Sequence, residues 1–135
     1  MVAFVDTSAL YALLDARDTN HSRAWSAWGG FLAASVPLVT TNYVLLETLS
    51  LLQKRLGLAA VRRFAQAGMP LLQVHWVDEA AHASGVAALL LAARRELSLV
   101  DCVSFCAMRE LGLHEAFAFD THFAEQGFSL LPTPE

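Results

Sequence analysis

Phe4-Val5-Asp6-Thr7-Ser8-Ala9-Leu10 is the stretch around which this chain is organised. Residues 1–5 form an apolar run too short for a helix and long enough for a buried strand. Asp6 ends the run, and Thr7-Ser8 open an apolar segment, residues 9–14, with helical character. A strand that stops at a carboxylate and turns straight into a helix sets that carboxylate at the carboxyl edge of a sheet. Open α/β sheets bind their ligands at that edge. Asp, Thr and Ser are also good N-caps, so on this stretch alone Asp6 reads first as a helix cap.

The alternation continues along the chain. The first helix is expected over residues 7–16, and a second begins at His21 after Asn20, a suitable cap. Trp25, Trp28 and Phe31 stripe that helix, which reads as core or subunit interface, and Gly29-Gly30 should weaken it or end it early. Residues 36–40 form a strand, followed by a helix from Thr41 or Asn42 to about Leu56 with Gly57 at its C-terminus. A helix over 58–67 stops at Gly68 and Pro70, and residues 71–76 form a third strand. A long helix is expected from Asp78 to about Leu97, another over 98–111, a strand over 116–119 ending at Asp120, and a last strand over 128–131. Short strands alternating with helices predict βαβ crossovers and a three-layer α/β/α architecture with a mainly parallel sheet. With no repeat, linker or low-complexity segment, residues 1–135 read as a single domain.

Apolar residues make up 56% of the chain and charged residues 16%, so part of the apolar surface should be covered by another chain. The N-terminus lacks a basic n-region, and the longest apolar run, residues 86–93, is too short to span a bilayer. A cytoplasmic protein is the expectation. A net charge of −4 argues against indiscriminate nucleic-acid binding. Cys102 and Cys106, one helical turn apart, read as small buried residues rather than a zinc site.

The carboxylates carry the chemistry. Asp120 repeats the pattern of Asp6, because Phe117-Ala118-Phe119 runs into an Asp followed by Thr121. Two parallel strands ending in Asp bring both carboxylates to one sheet edge, although each also reads as a cap. Asp101 follows Ser98 at capping-box spacing. A first-turn Asp still lies at the open end of the sheet, and Ser104 comes one turn later. Glu47 sits mid-helix in Tyr43-Val44-Leu45-Leu46-Glu47-Thr48-Leu49-Ser50-Leu51-Leu52. A helix apolar on most sides is buried, and a buried carboxylate is costly unless paired or bound to metal. No Lys or Arg stands three or four residues from Glu47; Thr48 and Ser50 leave open a polar side and simple exposure. Four carboxylates at one sheet edge repel one another unless cations neutralise them. Oxygen-only ligands select Mg²⁺ or Mn²⁺ rather than zinc, and such ions activate a water for phosphodiester hydrolysis.

In order along the chain, Val5-Asp6-Thr7-Ser8-Ala9-Leu10, Val39-Thr40-Thr41-Asn42-Tyr43-Val44-Leu45-Leu46-Glu47, Leu97-Ser98-Leu99-Val100-Asp101-Cys102-Val103-Ser104-Phe105 and Ala118-Phe119-Asp120-Thr121-His122-Phe123 resemble the PIN-domain ribonucleases, and within them the VapC-type toxins. The resemblance covers essentially the whole chain. It implies a PIN-like fold in which Asp6, Glu47, Asp101 and Asp120 form the acidic Mg²⁺ (or Mn²⁺) site, with Thr7, Ser8 and Ser104 as supporting hydroxyls. It implies a divalent-metal-dependent endoribonuclease, the toxin of a toxin–antitoxin pair, that hydrolyses RNA and is held silent by a small VapB-like antitoxin. An Arg of the antitoxin tail entering the acidic site would suit that silencing. A homodimer is implied as well. His21 matches a position often His in the group, though alone it reads as structural. The chain departs from the common pattern at Ala118, where many relatives carry a hydroxyl residue, and at Thr121, where Arg or Lys is frequent. The alternative is a catalytically weak or inactive PIN scaffold that binds RNA or protein, which would require an incomplete acidic quartet. Haloacid-dehalogenase-like and receiver-domain readings fail, because position 8 is Ser and no acidic pair stands at the first strand. P-loop and dinucleotide fingerprints are missing.

Overall fold

Five short strands lie in the order β3-β2-β1-β4-β5 in a computed structural model that describes residues 1–135. They are β1 (Ala3–Val5), β2 (Leu38–Thr41), β3 (Gln73–His75), β4 (Glu115–Phe117) and β5 (Ser129–Leu131). Every pairing is parallel, so the sheet is wholly rather than mainly so. Seven helices connect and cover them: α1 (Thr7–Leu14), α2 (His21–Ala33), α3 (Asn42–Arg55), α4 (Leu58–Arg63), α5 (Glu79–Ala92), α6 (Leu99–Leu111) and α7 (His122–Glu125).

β1 is the central strand and all three of its residues are buried, as a strand covered on both faces requires. Phe4 pairs with Ala116, so Phe4 and Phe117 project from opposite faces of the sheet. On one face Phe4 meets Phe123, which stacks edge-on against Phe105 of α6 at 5.0 Å. On the other, Phe117 packs against Phe31 and Trp28 of α2. These aromatic groups hold a helical layer to each face. The chain therefore forms the expected three layers, and the strand ends around β1 share one edge.

Several local expectations are corrected. α2 runs through Gly29-Gly30 to Ala33, because the buried Trp28 and Phe31 on either side anchor it while the glycines stay exposed. Asn20 precedes α2 without a side-chain capping bond; of the stripe, Trp28 and Phe31 are core, while Trp25 is exposed and keeps only the subunit-interface reading. The fourth helix ends at Arg63 and continues as a π turn over Phe64–Gly68, with Phe64 buried beneath it. α5 stops at Ala92 instead of about Leu97, since Ala93 takes a left-handed conformation (φ 51°) and Leu97 turns inward. α5 and α6 approach closely at Gly85, where a Cβ would lie 2.4 Å from Val103 Cγ2. β4 ends at Phe117, three residues short of Asp120, because the Phe119 amide leaves the sheet to bond a side chain of α1. No helix is long and apolar enough to cross a membrane.

Candidate active site

Asp6 leaves β1 with its amide donating to Phe117 O of β4 at 3.0 Å, and its side chain immediately caps α1. Its Oδ2 accepts two bonds from Ser8, from the amide at 3.1 Å and from the hydroxyl at 2.7 Å. The same Ser8 hydroxyl accepts the amide of Phe119 at 2.9 Å. Cap and sheet-edge carboxylate are thus one residue in two roles, and Ser8 ties its orientation to the segment that carries Asp120.

Asp101 arrives on the first turn of α6. Ser98 and Asp101 form a complete capping box, in which Asp101 Oδ2 accepts the Ser98 amide and the Asp101 amide donates to Ser98 Oγ. Asp120, just before α7, accepts the His122 amide on Oδ1 at 2.9 Å. In each of the three carboxylates one oxygen is held by the backbone and the other has no protein donor. Three fixed carboxylates with three free oxygens make a cation-binding arrangement.

The electrostatics agree. Asp6 is buried, and its pKa is pushed up from 3.8 to about 7, chiefly by burial and further by the nearby Asp101 and Asp120, against the lowering effect of its bonds from Ser8. Burial also raises the pKa of Asp101, and Asp120 adds to it. None of the three has a Lys or Arg within salt-bridge distance. The α1 and α6 N-termini offset part of the repulsion, since each helix dipole favours negative charge there. The remainder calls for a bound cation.

The other predicted residues lie as follows. Ser104, one turn after Asp101 on the same face of α6, is fully buried and its hydroxyl has no hydrogen-bond partner. An orphaned buried hydroxyl beneath the carboxylates fits a polar site that awaits a ligand. Thr7 turns away from the cluster: it donates to Val44 O at 3.4 Å and accepts from Thr48 at 3.1 Å, clipping α1 to α3. His21 is structural, with Nδ1 2.8 Å from Ala12 O.

Glu47 corrects the burial argument. The buried residues of α3 are Val44, Leu45, Thr48 and Leu52, a one-sided stripe, while Leu46 is 67% exposed. Glu47 is half-exposed and lines a shallow hollow with Tyr43, Leu46, His82, Leu99 and Val100. It lies beside the first turn of α6; the group whose ligand atoms lie within 4.8 Å of one another holds Asp101, Asp120 and His122, and neither Glu47 nor Asp6 is in it. Apolar neighbours in sequence misled here because helix periodicity left Leu46 on the outer flank of α3, next to Glu47, while Leu49 packs against the core.

His122 is the site residue that sequence reasoning missed. Its ring is largely buried, with Nδ1 3.1 Å from Asp120 Oδ1. A ring nitrogen and one carboxylate oxygen each of Asp101 and Asp120 lie within 4.8 Å of one another. The available signal was its position two residues after Asp120.

The family model described as "PIN domain" matches residues 3–129. The 23S rRNA-specific endonuclease VapC20 of Mycobacterium tuberculosis is 39% identical over 127 residues, 93% of this chain and 94% of that protein. The crystal structure of VapC20, described as a sarcin-ricin loop cleaving toxin, superposes with a TM-score of 0.82 at 36% identity, covering 93% of this chain and 95% of that one. The DNA-bound VapBC structure from Salmonella typhimurium is similar in fold alone, with a TM-score of 0.66 at 16% identity, covering 96% of this chain and 97% of that one.

Proposed function

This chain belongs to the PIN-domain family, and on that premise we propose that it is a divalent-metal-dependent endoribonuclease, the toxin of a toxin–antitoxin pair. The observation that carries the reading is the pairing of Asp101 with Asp120, whose carboxylate oxygens lie within 4.8 Å of each other, beside a buried Asp6 that both of them raise in pKa, each carboxylate having one oxygen held and one free. The 39% identity to VapC20 over 93% of the chain supports ribosomal RNA, specifically 23S, as the substrate.

Asp6, Asp101 and Asp120 would hold Mg²⁺ or Mn²⁺, with Glu47 at the margin. Such an ion supplies a water of lowered pKa and neutralises charge on the phosphate and the leaving oxygen. Ser8 fixes Asp6 Oδ2 and leaves Oδ1 without a protein donor, and the Ser98–Asp101 box does the same for the two oxygens of Asp101. Ser104 offers a hydroxyl with no competing partner to orient water or a phosphate oxygen. The residues position; with a cation held there, the self-repelling carboxylates would accept a phosphodiester.

Exposed Leu46, Trp76, Leu90 and Leu91 support coverage by a second copy of the chain and by a small antitoxin. An RNA substrate supports a cytoplasmic location.

The test is cleavage of purified ribosomal RNA with Mg²⁺ or Mn²⁺, with and without EDTA. Cleavage is expected only with the ion, and should be lost in Asp6→Asn and Asp101→Asn. Activity that survived chelation or both substitutions would overturn the mechanism. A chain that bound no ion by calorimetry at millimolar Mg²⁺ would instead be a scaffold.

A further inference from the structure

The proposed ion site has a nitrogen as well as oxygens. His122 Nδ1 is buried and has no hydrogen-bond partner. It lies 3.1 Å from Asp120 Oδ1, yet off the line of a hydrogen bond, and that oxygen already accepts the His122 amide at 2.9 Å. The ring is therefore not held as a donor to Asp120. A buried imidazole nitrogen without a partner is costly unless something else uses it.

The spacing identifies that use. Metal–ligand bonds of about 2.1 Å put neighbouring ligands of an octahedral ion about 3 Å apart. The distance from Nδ1 to Oδ1, the Asp120 oxygen that also accepts the His122 amide, matches that edge, and a ring nitrogen of His122 lies within 4.8 Å of one carboxylate oxygen each of Asp101 and Asp120. Two carboxylates from separate elements and an imidazole converge there, whereas the other four histidines are engaged or placed elsewhere: His21 on Ala12 O, His75 beside Glu110, His82 beside Tyr43, and His114 exposed.

We propose that His122 is a nitrogen ligand of the ion held by Asp101 and Asp120, and that the centre therefore prefers Mn²⁺ to Mg²⁺. This rests on the ion-dependent reading above. Mg²⁺ takes oxygen ligands and sheds water reluctantly, whereas an imidazole suits transition-metal ions.

The experiment is Mn²⁺ binding to the full chain, read by electron spin-echo spectroscopy for directly bound nitrogen and by calorimetry for Mn²⁺ and Mg²⁺ affinities. Wild type should show nitrogen coupling that changes on ¹⁵N-histidine labelling. His122→Asn should lose the coupling and about tenfold or more in Mn²⁺ affinity, with a smaller loss for Mg²⁺. Bound Mn²⁺ without nitrogen coupling, or an unchanged Mn²⁺/Mg²⁺ ratio in His122→Asn, overturns the assignment while leaving the carboxylate site intact. Absence of any bound ion in wild type overturns both. Should His122→Asn fail to fold, ¹⁵N-histidine labelling of the unsubstituted chain decides alone, because no other histidine is in the cluster.

Discussion

Ser8 donates its hydroxyl to Asp6 Oδ2 at 2.7 Å while accepting the Phe119 amide at 2.9 Å, so one hydroxyl couples the first carboxylate to the strand exit that leads to the last. Removing it in Ser8→Ala leaves the Phe119 amide unpaired and Asp6 with one donor fewer. The expected cost is about 1–3 kcal/mol of stability, with reduced RNA cleavage. Ser8→Thr should recover most of both. Thermal unfolding and cleavage rates on the three proteins check this.

Asp6→Asn separates function from stability. Cleavage should fall by about a hundredfold or more, since the buried central carboxylate is gone. The metal-free variant should nevertheless be the more stable protein at neutral and mildly alkaline pH. Because the folded-state pKa of Asp6 is raised from 3.8 to about 7, its contribution is fully present below the lower value and is lost as pH rises through the higher. That loss amounts to about 4 kcal/mol in wild type, and Asn, which does not titrate, escapes it. Denaturant unfolding in EDTA between those two pH values should show a falling stability for wild type, level above the higher one, and a flatter profile for the variant. Added Mg²⁺ should restore wild type at neutral pH and above and leave the variant nearly unchanged.

Thr7 and Thr48 bond each other across α1 and α3. Either single change to Val should cost about 1–3 kcal/mol by stranding the buried partner, and the double change should cost less than the sum. Cleavage by the folded fraction should persist, since Thr7 faces α3 rather than the carboxylates. A double-mutant cycle in urea measures the coupling.

Glu47→Gln should weaken ion binding less than Asp101→Asn does, because Glu47 is half-exposed and outside the cluster that shifts the Asp6 pKa. Parallel calorimetric titrations with Mn²⁺ order the two variants directly.

Gly85→Ala should destabilise the protein by about 1–3 kcal/mol, since the new methyl would sit 2.4 Å from Cγ2 of Val103, a β-branched side chain with little freedom to move. The change should not touch ion affinity unless α6 shifts and carries Asp101 with it. Unfolding and Mn²⁺ titration on one sample distinguish the two outcomes.

The strand-to-helix turn at Asp6, the capping box at Ser98–Asp101 and the βαβ alternation could be read directly from the chain, because caps, strand period and helix starts are local in origin. The sequence by itself therefore determined the three layers, the parallel sheet and the chain positions of the acidic residues. The tertiary structure alone decided which of them meet. Glu47 looked buried among apolar neighbours, yet helix rotation left it half-exposed in a hollow, because only packing selects which stripe of α3 faces inward. Ser8 and Phe119 stand 111 residues apart and no local pattern joins them; the parallel pairing of β1 with β4 does. Likewise His122, marked in the chain only by standing two residues after Asp120, joined the group once β4 and α6 had brought Asp120 against Asp101, a proximity fixed by packing across the sheet edge rather than by sequence spacing.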